Sequence, residues 1–141
     1  MRKIAILLLA MLLLTGCGKT ETPAQTTKPT ETTQPQEAYM NITQEEAKKL
    51  MDTEKDYIIL DVRTQEEFDE KHIPGAVLIP HTEIAERAEA ELTDKDQLIL
   101  VYCRSGNRSK TASEALEKLG YTYIREFGGI NDWPYETESL K

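Results

Sequence analysis

The sequence predicts an α/β domain in which an open parallel sheet carries helices on both faces. The apolar runs 57–60 and 97–102 are continuous, and such runs are typical of strands that a parallel sheet buries on both sides. Helical patterns of roughly ten residues alternate with these runs, as they do in βαβ units. We therefore expect a single domain over residues 41–141, with no internal repeat.

Two helix starts are marked in the first half of this domain. Thr43 with Glu46, and Thr64 with Glu67, have the spacing of a capping box, in which a helix start exchanges side-chain and backbone hydrogen bonds. The run 57–60 lies between them and predicts a strand. The first half of the domain is therefore predicted to contain a helix, a strand and a second helix, in this order.

The middle of the domain predicts a short strand and then an acidic helix. Pro80 limits the apolar run 76–79 to a brief strand. Helical spacing resumes from Thr82, and the acidic residues of this helix are expected to form a solvated face. Neither they nor His81 show the spacing of metal ligands, so we predict no metal site.

The second half predicts a strand, a polar loop and a helix. The strand 97–102 leads directly to Cys103, and a helical pattern spans 110–119. Gly120 is a usual residue just after a helix end. A further strand is predicted over 121–124. In open α/β sheets, ligands bind where a strand ends and the following helix begins.

The loop 103–109 has the composition of a reactive thiol site. Its backbone amides can curl around the Cys103 sulfur and form a concave anion nest at the positive end of the helix dipole. Gly106 allows the backbone to turn. Arg104 and Arg108 add positive charge, and these features together favour the thiolate, the nucleophilic form of cysteine.

This loop resembles the active-site loop of the rhodanese (sulfurtransferase) family. The family pattern is Cys, two residues, Gly, one residue, Arg, then Ser or Thr, and 103–109 matches it at every position. The resemblance implies that Cys103 takes a sulfane sulfur from a donor as a persulfide and passes it to a nucleophilic acceptor. It also implies that the loop binds the terminal sulfur and the donor's anionic group. The substrate-binding residues would be Arg104, Ser105, Gly106, Asn107, Arg108 and Ser109.

Two other blocks resemble the same family in the same order. The first contains Asp61 and Arg63 and continues into 72–76, and in the family this Asp and Arg help to hold the active-site region together. We expect Asp61 to accept loop amides or to pair with Arg108, and His72 to be a structural hydrogen-bonding residue.

The other block is 127–130, followed by Trp133. The resemblance implies that the paired glycines make a turn and that Trp133 packs into the core near the domain's end.

Two alternatives to a turning-over sulfurtransferase stay open. The same residues could belong to a sulfur-carrier or anion-binding module that delivers a persulfide to a partner protein. A cysteine phosphatase or arsenate reductase is the other alternative. However, that pattern has five residues between Cys and Arg where this chain has four between Cys103 and Arg108, and Tyr102 stands where those phosphatases carry a His.

The N-terminal region predicts export and lipid anchoring. Two basic residues precede the apolar run 4–14, which is the arrangement of a signal peptide over residues 1–16. The segment 14–17 resembles the lipobox of bacterial lipoproteins, which implies lipid attachment at Cys17. Residues 17–40 are rich in Thr and Pro and predict a disordered tether. The domain would then lie at the outer face of a bacterial membrane.

The net charge and the cysteine content limit the classes of molecule that this chain is expected to bind. The chain carries 25 acidic against 17 basic residues, a formal net charge of −8, which excludes nucleic acid as a favoured partner. Arg63, Arg104 and Arg108 concentrate positive charge locally, so we expect a small anionic sulfur donor. The acceptor would be a thiol, a cyanide-like nucleophile or a protein. If Cys17 is lipidated, Cys103 is the one remaining thiol, and we predict no cofactor.

Overall fold

The computed structural model describes residues 37–141, and these form one sheet covered by helices on both faces. The strands are β1 (Tyr39–Asn41), β2 (Tyr57–Asp61), β3 (Val77–Leu78), β4 (Leu98–Cys103) and β5 (Ile124–Gly129). The helices are α1 (Gln44–Thr53), α2 (Gln65–Glu70), α3 (Ile84–Glu91) and α4 (Asn107–Lys118), with a 3₁₀ turn at Ile130–Asp132. The sheet order is β1-β5-β4-β2-β3, and every pairing is parallel. The predicted α/β class and parallel sheet are confirmed.

Each face of the sheet has its own apolar core. One core joins the sheet to α3 and α4 and includes Ile84, Ala112 and Leu116. The other core lies on the opposite face and includes Ala47 of α1 and Trp133. The central strand β4 is buried along its whole length, as its continuous apolar run predicts.

Both predicted capping boxes are present, and they fix where α1 and α2 begin. The Thr43 hydroxyl accepts the Glu46 amide at 3.1 Å, and the Thr64 hydroxyl accepts the Glu67 amide at 3.3 Å. Each Glu side chain also accepts the amide of its own threonine. Two of the four orphan amide groups at each helix start are thereby satisfied.

Helix α4 and strand β5 differ in extent from the prediction by three or more residues at one or both ends. Helix α4 begins at Asn107 instead of 110, because Gly106 is its N-cap. The last strand covers 124–129 instead of 121–124, so the paired glycines lie inside β5 and the predicted turn is wrong. The register of β4 against β5 shifts at this point, and Gly128 has a positive φ of 88°. That irregularity allows a strand to contain the glycine pair.

The structure also contains a strand that the sequence does not predict. β1 pairs with β5 and includes Tyr39 and Met40, two residues of the predicted tether. Residues 1–36 lie outside the described part of the chain, and with them lie the predicted signal peptide, Cys17 and most of the tether. Within residues 37–141, no helix is both long and apolar enough to span a bilayer.

Candidate active site

The loop between β4 and α4 wraps its backbone around the Cys103 side chain. Cys103 is the last residue of β4, and Gly106 adopts a left-handed φ of 101° just before α4 begins. This conformation, which favours glycine, lets the Gly106 amide donate to Cys103 Sγ at 3.1 Å. The placement of Cys103 at a strand's carboxyl end and the turn at Gly106 agree with the sequence.

The surroundings of Cys103 favour its thiolate. The residue is only 1% exposed, and this burial raises the pKa of the thiol. Hydrogen bonds from the Ser109 hydroxyl and from the amides of Ser109, Gly106 and Ser105 outweigh burial, and the pKa of Cys103 is lowered below its ordinary value. A thiolate held by inward-facing amides is a nucleophile at neutral pH.

The start of α4 is open toward an anion. Gly106 has no side chain and so supplies no cap hydrogen bond at the start of α4, where the Ser109 amide is directed to the Cys103 sulfur instead. The positive end of the helix dipole lies at the same place and favours negative charge. The side chains of Ser105 and Asn107 are exposed, so their contribution inside the loop comes from the backbone.

Gly129 of β5 forms the floor beneath this loop. A Cβ atom at Gly129 would lie 2.1 Å from the carbonyl oxygen of Arg104 and 2.6 Å from the Ser105 Cα. Both are backbone atoms, so they cannot rotate away. The Asn131 amide donates to the same Arg104 carbonyl at 3.2 Å, which fixes the loop from below. The close approach of two backbones explains why glycine stands at this position.

Asp61 and Arg63 form a buried pair beside the loop. Arg63 Nη2 donates to Asp61 Oδ2 at 2.7 Å, Nε donates to Oδ1 at 2.9 Å, and the Arg63 amide also donates to Oδ1. Asp61 therefore pairs with Arg63, and the expectation that it binds loop amides or Arg108 is wrong. Arg63 additionally donates to the Lys71 carbonyl at 2.5 Å, which ties the end of β2 to the segment after α2.

Arg108 forms its ion pair with Glu67 of α2. Its two terminal nitrogens donate to the two carboxylate oxygens at 2.7 and 2.8 Å, a bidentate geometry. The hydrogen bond from Arg108, partly opposed by burial, holds the pKa of Glu67 at about 2. The Arg108 guanidinium, which was expected to bind the donor, is thus paired with a carboxylate.

Glu67→Gln is expected to reduce the free energy of unfolding by about 1 kcal/mol at pH 7, since glutamine keeps the capping box but loses the charge pair. The pKa of Glu67 is depressed from 4.5 to about 2. The stabilisation is therefore present above pH 4.5 and disappears as the pH falls toward 2. Urea unfolding of the wild type and of Glu67→Gln across this pH range measures the difference in their free energies of unfolding. The substitution Glu66→Gln at the exposed neighbouring residue is the control. A difference that does not change with pH would contradict the pairing.

A cavity of about 240 Å³ opens beside the loop. Arg63 and Arg104 line it together with Ile130 and Asn131, and Glu67, Glu70 and Lys71 complete its wall. Arg104 is exposed, so its guanidinium is free to reach an anion. The cavity has room for a small ligand. Among residues 37–141, no cluster of three His, Cys, Asp or Glu side chains could hold a metal ion.

Two residues that the sequence did not single out as site residues belong to this region. Glu67 was predicted only as a helix cap, and its pairing with Arg108 joins residues 41 apart in the chain. Glu126 is fully buried under the loop and accepts a hydrogen bond from Ser109 at 2.5 Å. Glu126 lies beyond the predicted strand 121–124, so its place on the same face as the core residue Ile124 follows only from the observed extent of β5.

His72 and Trp133 have structural contacts. His72 Nδ1 lies 2.7 Å from the Phe68 carbonyl oxygen, and its Nε2 lies 3.1 Å from a Glu138 carboxylate oxygen. Trp133 packs against Phe127 in the core and is 8% exposed. None of these contacts involves Cys103.

Known proteins match this chain in both sequence and structure. The model of the rhodanese-like domain family matches residues 43–135. The chain is 38% identical over 73 residues to the thiosulfate sulfurtransferase PspE of Escherichia coli (strain K12), a match that covers 52% of this chain and 70% of PspE. It is 39% identical over 98 residues to the putative sulfur carrier protein YrkF of Bacillus subtilis (strain 168), covering 69% of this chain but only about half, 52%, of YrkF.

A solved structure of a rhodanese from E. coli, described as containing anions, superimposes with a TM-score of 0.56 at 34% identity. That match covers 59% of this chain and 98% of the solved chain. The matched family region contains the whole Cys103 loop, the Asp61–Arg63 pair and the glycine floor. The chain therefore belongs to the rhodanese-like domain family.

Proposed function

We propose that this chain is a sulfurtransferase that moves a sulfane sulfur from a small anionic donor such as thiosulfate to a thiophilic acceptor, through a persulfide on Cys103. The observation that supports this proposal most strongly is the set of loop hydrogen bonds that lowers the pKa of the buried Cys103 thiol. Such a thiolate can attack an electrophilic sulfur without a separate general base.

With thiosulfate as donor, the chemistry takes two displacement steps. The Cys103 thiolate attacks the outer sulfur, the sulfur–sulfur bond of thiosulfate breaks, and sulfite leaves with the bonding electron pair. Cys103 then carries a persulfide anion, and the amides of Gly106 and Ser105 are placed to stabilise it. Cyanide or a thiolate attacks the terminal sulfur in the second step, and the Cys103 thiolate is the leaving group. No net proton or electron is exchanged.

The cavity beside the loop is the proposed entry for the donor. Arg63, Lys71 and Arg104 bring three positive charges to its wall against the two negative charges of Glu67 and Glu70, in a chain of net charge −8. The sulfonate end of thiosulfate would bind these groups while the outer sulfur enters the loop. The name of the relative PspE, a thiosulfate sulfurtransferase, supports this choice of donor.

The second candidate function is a sulfur carrier that receives a persulfide and delivers it to a partner protein. The similarity to YrkF, named a putative sulfur carrier protein, favours it. Both functions use Cys103 in the same way. They differ in whether a small acceptor releases the sulfur repeatedly.

Turnover separates the candidates. The full chain is incubated with thiosulfate and cyanide, and thiocyanate is counted per chain. Many thiocyanates per chain would establish the sulfurtransferase, whereas a single thiocyanate per chain would favour the carrier. Hydrolysis of an aryl phosphate in place of sulfur transfer would instead favour the phosphatase alternative.

We also propose that the chain is a lipoprotein attached through Cys17 to the outer face of a bacterial membrane. The order of basic residues, the apolar run 4–14 and the lipobox-like segment 14–17 supports this proposal. Expression with radiolabelled palmitate is expected to label the wild-type chain and the Cys103→Ser variant. Cys17→Ser is expected to lose the label and to leave the membrane fraction. A label that persists in Cys17→Ser would refute the anchor.

A further inference from the structure

Glu67 connects the Cys103 loop with the cavity that opens beside it. Its two carboxylate oxygens accept the two terminal nitrogens of Arg108 at 2.7 and 2.8 Å, and the same side chain lines the cavity. One of these oxygens also accepts the Thr64 amide at 3.2 Å. The carboxylate is thus held in place from both sides, and it is negative at neutral pH because the pKa of Glu67 is about 2.

Two arginines of this region are paired with carboxylates. Arg63 Nη2 lies 2.7 Å from Asp61 Oδ2, and Arg108 is paired with Glu67. The other cations of the cavity wall, Arg104 and Lys71, are exposed, so solvent and salt screen their charges. The attraction of the site for an anion is consequently limited, and it depends on how strongly the acidic side chains of the wall oppose it.

Glu67 and Glu70 are the acidic residues of this wall, and they differ in exposure. The Glu70 side chain is 62% exposed, and its carboxylate lies 3.7 Å from Lys141 Nζ. The Glu67 side chain is only 23% exposed and contacts Arg108 of the loop directly. Because a partly buried charge is screened less than an exposed one, Glu67 is expected to have the larger effect on an anion that approaches Cys103.

We propose that Glu67 determines which sulfane-sulfur donors the site accepts, by selecting on their charge. Its carboxylate keeps the Arg108 guanidinium from the anionic end of the donor and adds a negative charge to the cavity wall. A donor with one negative charge, such as an organic thiosulfonate, is therefore favoured relative to a donor with two, such as thiosulfate. Glu67 contacts no reacting atom, so it is a specificity-determining residue. The inference rests on the proposed function, because it concerns the donors of that reaction.

Methanethiosulfonate and thiosulfate form a matched pair of donors. A methyl group in the first stands where the second has an oxygen anion, so the two ions are similar in size and differ by one charge. With methanethiosulfonate, the Cys103 thiolate attacks the outer sulfur, the sulfur–sulfur bond breaks, and methanesulfinate leaves with the bonding electron pair. The product on Cys103 is the same persulfide anion that thiosulfate gives. A difference in rate between the donors that changes with a substitution therefore reports on charge.

The test is kcat/KM for each donor, measured as thiocyanate formation by the full chain and by Glu67→Gln. Glutamine keeps the length of the side chain but removes its charge and releases Arg108. Since electrostatic energy is proportional to the charge of the ligand, the gain for the dianion is the square of the gain for the monoanion. We expect a rise of about threefold for methanethiosulfonate and about tenfold for thiosulfate, with both gains shrinking at high salt.

Two further variants separate the charge of Glu67 from its structural contacts. Glu67→Asp keeps the charge and is expected to keep the wild-type ratio of the two kcat/KM values, even where both values fall. Glu66→Gln changes the net charge of the chain by the same amount as Glu67→Gln. Glu66 is exposed and does not line the cavity, so the wild-type ratio is expected there too. A ratio that is unchanged in Glu67→Gln, or that rises equally in Glu66→Gln, would overturn the proposal.

Alkylation of Cys103 provides a second measurement that does not require sulfur transfer. Iodoacetate and iodoacetamide react in the same way but differ by one negative charge, and the Cys103 peptide is quantified by mass spectrometry. The ratio of the iodoacetate rate to the iodoacetamide rate is expected to rise about threefold in Glu67→Gln. If the wild type forms thiocyanate from neither donor, the proposed function is wrong, and this ratio decides on Glu67 alone. An alkylation ratio that stays at the wild-type value would then overturn charge selection.

Discussion

Cys103→Ser is expected to abolish thiocyanate formation while leaving the domain folded. A serine hydroxyl fits the buried position and can still accept the Gly106 amide, which donates to Cys103 Sγ at 3.1 Å in the native chain. It cannot form a persulfide, because the sulfur-transfer intermediate requires the cysteine nucleophile. Steady-state thiocyanate formation measures the loss, and urea unfolding verifies the fold.

Cys17→Ser is the matched control for this substitution. Residue 17 lies outside the matched family region 43–135, so the same change at that position is expected to retain sulfur transfer by the purified chain. Turnover that survives in Cys103→Ser would show that another group carries the sulfur.

Gly129→Ala is expected to destroy the active-site loop and to destabilise the domain severely. The added Cβ would lie 2.1 Å from the Arg104 carbonyl oxygen, and only movement of the backbone can relieve this overlap. We expect a loss at or above the upper end of the ~1–3 kcal/mol typical of overpacked cores. Because the loop would move off β5, the Gly106 amide would leave Cys103, and the thiol would return toward ordinary reactivity. Urea unfolding and iodoacetamide alkylation at neutral pH measure the two effects.

Gly75→Ala separates this steric effect from backbone strain. Gly75 has a positive φ of 79°, but no atom lies within 4 Å of an added Cβ. Only the left-handed conformation is then penalised, at roughly 1–2 kcal/mol, and the reactivity of Cys103 is expected to stay native. If Gly129→Ala behaves like Gly75→Ala, the close contact beneath the loop is not a constraint.

Local sequence signals predict the parts of this fold that local physics controls. The capping boxes at Thr43 and Thr64 and the buried run of β4 are encoded within a few residues, and the structure has them where the pattern indicates. The strand β1 is only three residues long, and its partner β5 lies more than 80 residues away. Such a strand exists because of its pairing, so no local periodicity announces it.

The contacts of the site that the sequence does not predict are likewise those between residues far apart in the chain. The Cys103 loop is one continuous segment of the chain, so the spacing of Cys103, Gly106 and Arg108 is enough to predict a nest of amides around the sulfur. The partners of its side chains come from elsewhere: Glu67 on α2 binds Arg108, and Glu126 on β5 binds Ser109. Arg63 pairs with Asp61, two residues away in the chain, whereas Arg108 pairs with the more distant Glu67.

The most direct test of the central claim is the mass of the Cys103 peptide after the chain has been incubated with thiosulfate. A thiolate held by the loop amides is expected to gain the mass of one sulfur atom at Cys103, and cyanide is expected to remove it with formation of one thiocyanate. A Cys103 peptide that stays unmodified under these conditions, or an added sulfur that cyanide cannot remove, would contradict sulfur transfer through this residue.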